Sequence, residues 1–161
     1  WGNIPDMKIA IVCIYSSRED KFYSYTEEQV PELIEKLKEA TLIVGFNIIN
    51  FDYRVLQPYT DFDLNTLNTY DILTEVYKKL GYRVSLQNFA EATLGSSKSA
   101  DGVQSVEWYR AGEIQKVIDY CQQDVKVTRD LYLKLKKNGF LSYRDIKSGV
   151  IEFVNLEVKN V

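Results

Sequence analysis

Met7 to Tyr15, Met-Lys-Ile-Ala-Ile-Val-Cys-Ile-Tyr, is β-rich and nearly all apolar. A strand of that kind must be covered on both faces, which calls for helices packed on either side of a sheet. The segments that follow supply them. Ser16 to Lys21 is a polar turn and Phe22 to Tyr25 a partner strand, giving an antiparallel hairpin. Thr26 opens a helix running to about Ala40, with Pro31 in its first turn and Val30, Leu33, Ile34 and Leu37 on one face. Thr41 to Phe46 is a short buried strand and Asn50 to Tyr59 a short helix. A strand over Leu67 to Tyr70 precedes helices over Ile72 to Leu80 and Ser85 to Leu94, then a Ser/Gly-rich loop from Gly95 to Gly102. Glu113 to Lys137 is a long helix with Ile114, Val117, Ile118, Cys121, Val125, Leu131 and Leu135 as its stripe, ended by Gly139. Ile151 to Val158 is a final strand. This order predicts an α/β fold: a mixed central sheet flanked by helices.

Composition narrows the chemistry. At 161 residues the chain suits one domain with a proper core, and 45% hydrophobic with 27% charged residues is ordinary for a globular protein. No apolar stretch nears the roughly 20 residues that span a bilayer. Histidine is absent, which removes Ser-His-Asp and Cys-His catalysis and His-based zinc sites. Chemistry must then rest on carboxylates, tyrosine, lysine or an oxygen-held metal. Cys13 and Cys121 lie far apart with no Cys-x-x-Cys spacing, as expected of reduced thiols in a cytoplasmic protein. With a net charge of −3, a nucleic-acid partner would be held locally. The cluster Lys134, Lys136, Lys137 reads as a solvated helix end.

Two distant segments carry candidate chemistry. Gly45-Phe46-Asn47-Ile48-Ile49-Asn50-Phe51-Asp52 is an apolar run that stops at an acid. A strand handing over to a helix there sets Asp52 at the carboxyl edge of the sheet, where ligands bind in open α/β folds. Asn47 would fix the loop or touch substrate, and Phe51 would pack under a base or sugar. The alternative is that Asn50 or Asp52 merely caps the helix and Phe51 is core. Tyr120 and Asp124 stand one helical turn apart on one face, a line that Thr128 continues. Asp124 is either plain surface or, flanked by Cys121 and Val125, a cleft acid beside a phenol.

Strand-end Asn-x-x-x-Phe-Asp followed by helical Tyr-x-x-x-Asp resembles the DEDD 3′–5′ exonucleases of the ribonuclease-H-like superfamily, in the tyrosine subclass DEDDy that includes polymerase proofreading domains. The resemblance covers most of the chain and implies one ribonuclease-H-like domain over 1–161. It makes Asp52 and Asp124 metal ligands, Tyr120 the group orienting the attacking water, and Asn47 and Phe51 contacts to the terminal nucleotide. The implied cofactors are two Mg²⁺ or Mn²⁺ ions, typically about 3.5–4 Å apart. The implied substrate is nucleic acid with a free 3′ end, single-stranded, with DNA favoured over RNA, in repair or proofreading beside a fused or associated polymerase or helicase. The family's first motif, Asp-x-Glu on an opening strand, has no counterpart: Asp6, Glu19 and Asp20 are wrongly spaced. Since the chain opens on Trp1, the expectation is an excised fragment whose acid-bearing strand lay upstream, inactive or nearly so by itself. Asp71 reads as a cap for the next helix. The competing expectations are a non-catalytic ribonuclease-H-like binding or architectural module, and an unrelated α/β domain with its two acids far apart.

Overall fold

The structure is a computed structural model that describes residues 7–96 and 102–159. Val12–Ser16 (β1) and Lys21–Tyr25 (β2) form the expected hairpin, with Val12 opposite Tyr25 and Ser16 opposite Lys21. The ladder is shorter than the apolar run predicts, since residues 7–11 are irregular, although Ile9 is buried. Apolar pattern alone does not provide a ladder partner. The Thr26 amide donates to Gln29 Oε1 at 3.0 Å, closing the turn into Val30–Glu39 (α1). This helix buries Val30, Leu33, Ile34 and Leu37, the face its spacing predicts.

Ile43–Gly45 (β3) pairs in parallel with Thr69–Asp71 (β4). The crossover between them holds a wide turn over Ile48–Asp52, the short helix Tyr53–Leu56 (α2) and a tight turn over Gln57–Tyr59. Ile72–Leu80 (α3) matches its expected bounds. Leu86–Phe89 (α4) opens on Ser85, whose hydroxyl accepts the Asn88 amide at 3.1 Å. The predicted Gly95 to Gly102 loop falls mostly on 97–101, outside the described residues. Gly102–Arg110 (α5) is a helix that sequence patterning missed, because its apolar residues form no strong stripe and Val103, Val106 and Tyr109 are exposed. Ile114–Asn138 (α6) is the long helix, ended by Gly139 with φ of 78°. Phe140–Arg144 (β5), also missed, pairs antiparallel with Ile151–Asn155 (β6), the foreseen last strand.

The fold is α/β with both parallel and antiparallel pairs and helices packed against them. Among the described residues the strands form three separate two-stranded ladders, β1–β2, β3–β4 and β5–β6, rather than one continuous sheet. β1 and β3 each have a single ladder partner, and both border one cleft. The core divides accordingly. One cluster gathers Tyr70, Ile72, Val76, Phe89, Leu131, Leu135, Leu141 and Val154; the other gathers Tyr25, Val30, Leu33, Leu37, Tyr53, Leu56 and Leu64. Among the described residues no helix is long and apolar enough to cross a membrane.

Candidate functional site

The turn that presents Asp52 is held by a buried acid. Asp71, 1% exposed, accepts the amides of Asn47 (2.8 Å) and Ile49 (3.0 Å), besides those of Leu73 (3.1 Å) and Thr74 (3.4 Å) at the start of α3. The capping half of that role was legible from sequence. The other half, which ties the end of β3 to the end of β4, was not, because it spans more than twenty residues. Such hydrogen bonds to an ionised carboxylate are the strong kind, so Asp71 fixes the turn's backbone. Gly45 is required beside it: a Cβ there would stand 2.5 Å from two carbons of the Ile48 side chain. Asn47 makes the corner in the left-handed region, φ 63°, which Asn tolerates better than most residues. Its side-chain Oδ1 is buried and has no hydrogen-bond partner among the described residues. A buried amide oxygen left unpaired is costly, and Asn47 itself does not line the cleft that Asp52 borders.

Asp52 and Asp124 line the same cleft, of about 1210 Å³, together with Ile11 to Ser16, Thr41 to Phe46, and Cys121, Val125, Thr128 and Tyr132 of α6. Burial pushes the Asp124 carboxyl up to about 6, against a hydrogen bond from Tyr120 that works the other way. Asp52 is also raised to about 6, by lost hydration first and by the nearby Asp71 charge last. The residue is nonetheless exposed to solvent. Two acids whose carboxyls are raised at one cleft are a usual mark of a site that receives a cation or proton.

Tyr120 bonds the Asp124 carboxyl, as expected of two side chains one helical turn apart, and Asp52 borders the same cleft as Asp124. Thr128 turns its hydroxyl back to the Asp124 carbonyl at 2.8 Å. Phe51 does not face this cleft. It packs against the cluster around α1 and α2 and borders a smaller pocket with Met7 to Val12. The wide turn at Ile48–Asp52 rotates it away from the direction an ordinary helix start would give. Trp108 of α5 escaped the sequence reading. Its ring lies edge-on to Tyr120, with centroids 6.4 Å apart, so the tyrosine is held by an aromatic at its ring and a carboxyl at its hydroxyl. The basic trio at 134–137 is exposed, as expected of a helix end.

Oxygen ligands suit hard divalent ions, and the carboxylates of Asp52 and Asp124 fit one side of such a site. They do not complete it: among the described residues no group of three or more His, Cys, Asp or Glu side chains is placed to hold a metal.

No curated protein matches the chain. A family model does, over residues 5–136, and on that match, which spans most of its length, the chain belongs to the RNase H superfamily.

Proposed function

We propose that the chain is the larger part of a metal-dependent 3′–5′ exonuclease domain of the tyrosine-bearing DEDD class, acting on single-stranded nucleic acid, DNA in preference to RNA. The superfamily assignment supports nuclease chemistry in general. The observation that carries the finer reading is the meeting of Asp52 and Asp124 at one cleft, with the Tyr120 hydroxyl bonded to the second acid. In this reading both aspartates hold Mg²⁺ or Mn²⁺. When bound, such ions activate water and stabilise the leaving 3′ oxygen. Tyr120, gripped by Trp108, keeps the nucleophile in line, and Asn47, whose buried side chain does not line the cleft, fixes the loop that carries Asp52. Phe51 lines a smaller pocket that Asp52 also borders, so any nucleotide contact it makes lies on that side of Asp52.

The cleft also bears on the acids this sequence lacks. β1 and β3 each carry one ladder, and the cleft runs along both of them, floored by Leu33 and Leu37 of α1 and by Val125 and Tyr132 of α6. One extended strand laid there would pair with both and cover apolar side chains on either face. An opening strand bearing Asp-x-Glu fits that space, with its acids beside Asp52 and Asp124.

The test joins a β-rich strand containing Asp-x-Glu to the start of the chain. The joined protein is expected to degrade 3′-labelled single-stranded DNA in Mn²⁺, to lose that activity in Asp124→Asn, and to exceed the unjoined chain at least 100-fold. A joined protein that folds and binds DNA without cleaving it would replace this reading with a non-catalytic binding module.

A further inference from the structure

Cys13 and Cys121 are the chain's only two cysteines, and folding brings them together. Both are free and both line the cleft, and the pKa of the Cys13 thiol is lowered first by the Cys121 thiol across from it on α6. The contact is braced on the hairpin side. Ser24 Oγ stands 3.4 Å from the Cys13 sulfur and accepts from Gln122 Nε2 at 3.2 Å, so α6 reaches the hairpin at two successive residues. A buried thiol serves packing alone in most proteins, but two thiols on facing elements of one open cleft have a second option.

We propose that Cys13 and Cys121 form a reversible intrachain disulfide that clasps α6 to β1 at the turn carrying Tyr120 and Asp124. The oxidant is a small-molecule disulfide that enters by the cleft. The Cys13 thiolate attacks one of its sulfurs, forming a mixed disulfide and releasing the first small thiol. The Cys121 thiol, pushed well up by the Cys13 thiol beside it and by burial, then attacks the Cys13 sulfur as its proton leaves, which expels the second small thiol. One disulfide is consumed and one formed, and the two cysteine protons end on the released thiols. The bond closes a loop of more than a hundred residues, the span for which a crosslink restricts the unfolded chain most. It also lies within one helical turn of Asp124, so it ties that stretch of α6 to β1. This inference is independent of the nuclease reading.

The folded protein is incubated with glutathione disulfide at pH 8, then analysed by mass spectrometry and by thiol titration in denaturant. The expected product is a monomer lighter by two hydrogen atoms, with no free thiol, no retained glutathione and a Cys13–Cys121 crosslinked peptide. Its melting midpoint should rise by roughly 5–10 °C and return when dithiothreitol is added. Cys121→Ala should instead keep one glutathione on Cys13. A folded protein that retains both thiols, carries glutathione on either cysteine, or links two chains together overturns the proposal.

Discussion

The two halves of α6 share one amphipathic helix and do opposite work. In the half after Asp124, Val127, Leu131 and Leu135 are buried against α3, α4, β5 and β6. In the half before it only Val117 is buried, and Ile114 is 39% exposed. That half carries Tyr120, Cys121 and Asp124 and leans on α5 chiefly at Trp108, whose ring meets Tyr120 edge-on and lies under the Lys116 ammonium. At 25 residues the helix is about 37 Å long, enough for one end to be anchored while the other projects chemistry into a cleft. Precise placement of a site follows from a rigid element packed elsewhere, and does not require the site to be well packed itself.

The largest expected effect tests that division directly. Leu131 is fully buried, so Leu131→Ala should cost about 3–4 kcal/mol in urea denaturation, the transfer loss plus the cavity left behind. Ile114→Ala, one end of the same stripe, should cost under about 1 kcal/mol. Equal costs would mean that both halves are anchored alike, and the division would fail.

Next comes the turn opposite. Gly45→Ala sets a methyl against Ile48 at van der Waals overlap, with Asp71 holding the same turn from below. Overpacking of this kind should cost about 1–3 kcal/mol. It should also displace Asp52 relative to Asp124, read as weaker Mn²⁺ binding in the strand-joined protein. A neutral Gly45→Ala would show that the turn yields, leaving Asp52 less fixed than Asp124.

These residues also mark how far sequence alone reaches. α1 and α3 were legible because each shows a continuous apolar face with a recognisable start, and the Tyr120–Asp124 bond because the two stand one helical turn apart. The α6 stripe was misjudged in part. Cys121 and Val125 were read with Leu131 and Leu135 as one face, yet the first pair lines the cleft and the second enters the core. A 3.6-residue period identifies an apolar side without saying what covers each stretch of it. Phe51, Trp108 and the second role of Asp71 depend on the wide turn, on α5 and on pairing between β3 and β4. These are contacts between distant segments that leave no local pattern.

The smallest effect concerns the projecting half itself, where function should act against stability. The Asp124 carboxyl titrates ordinarily near 3.8 and is raised to about 6 by burial, so the folded state holds its proton more tightly than the unfolded chain does. Stability on this account is highest below about pH 4, declines as pH rises toward 6, and is level above it. Asp124→Asn keeps an acceptor for Tyr120 and removes the charge. It should therefore be more stable than the parent at pH 7.5, by about 1 kcal/mol after allowing for water that reaches a half-buried side chain. At pH 4 the two proteins should have the same urea midpoint. A variant weaker than the parent at pH 7.5 would mean that the carboxylate already has a favourable partner within the chain, and the cleft would then have no call for a cation at that position.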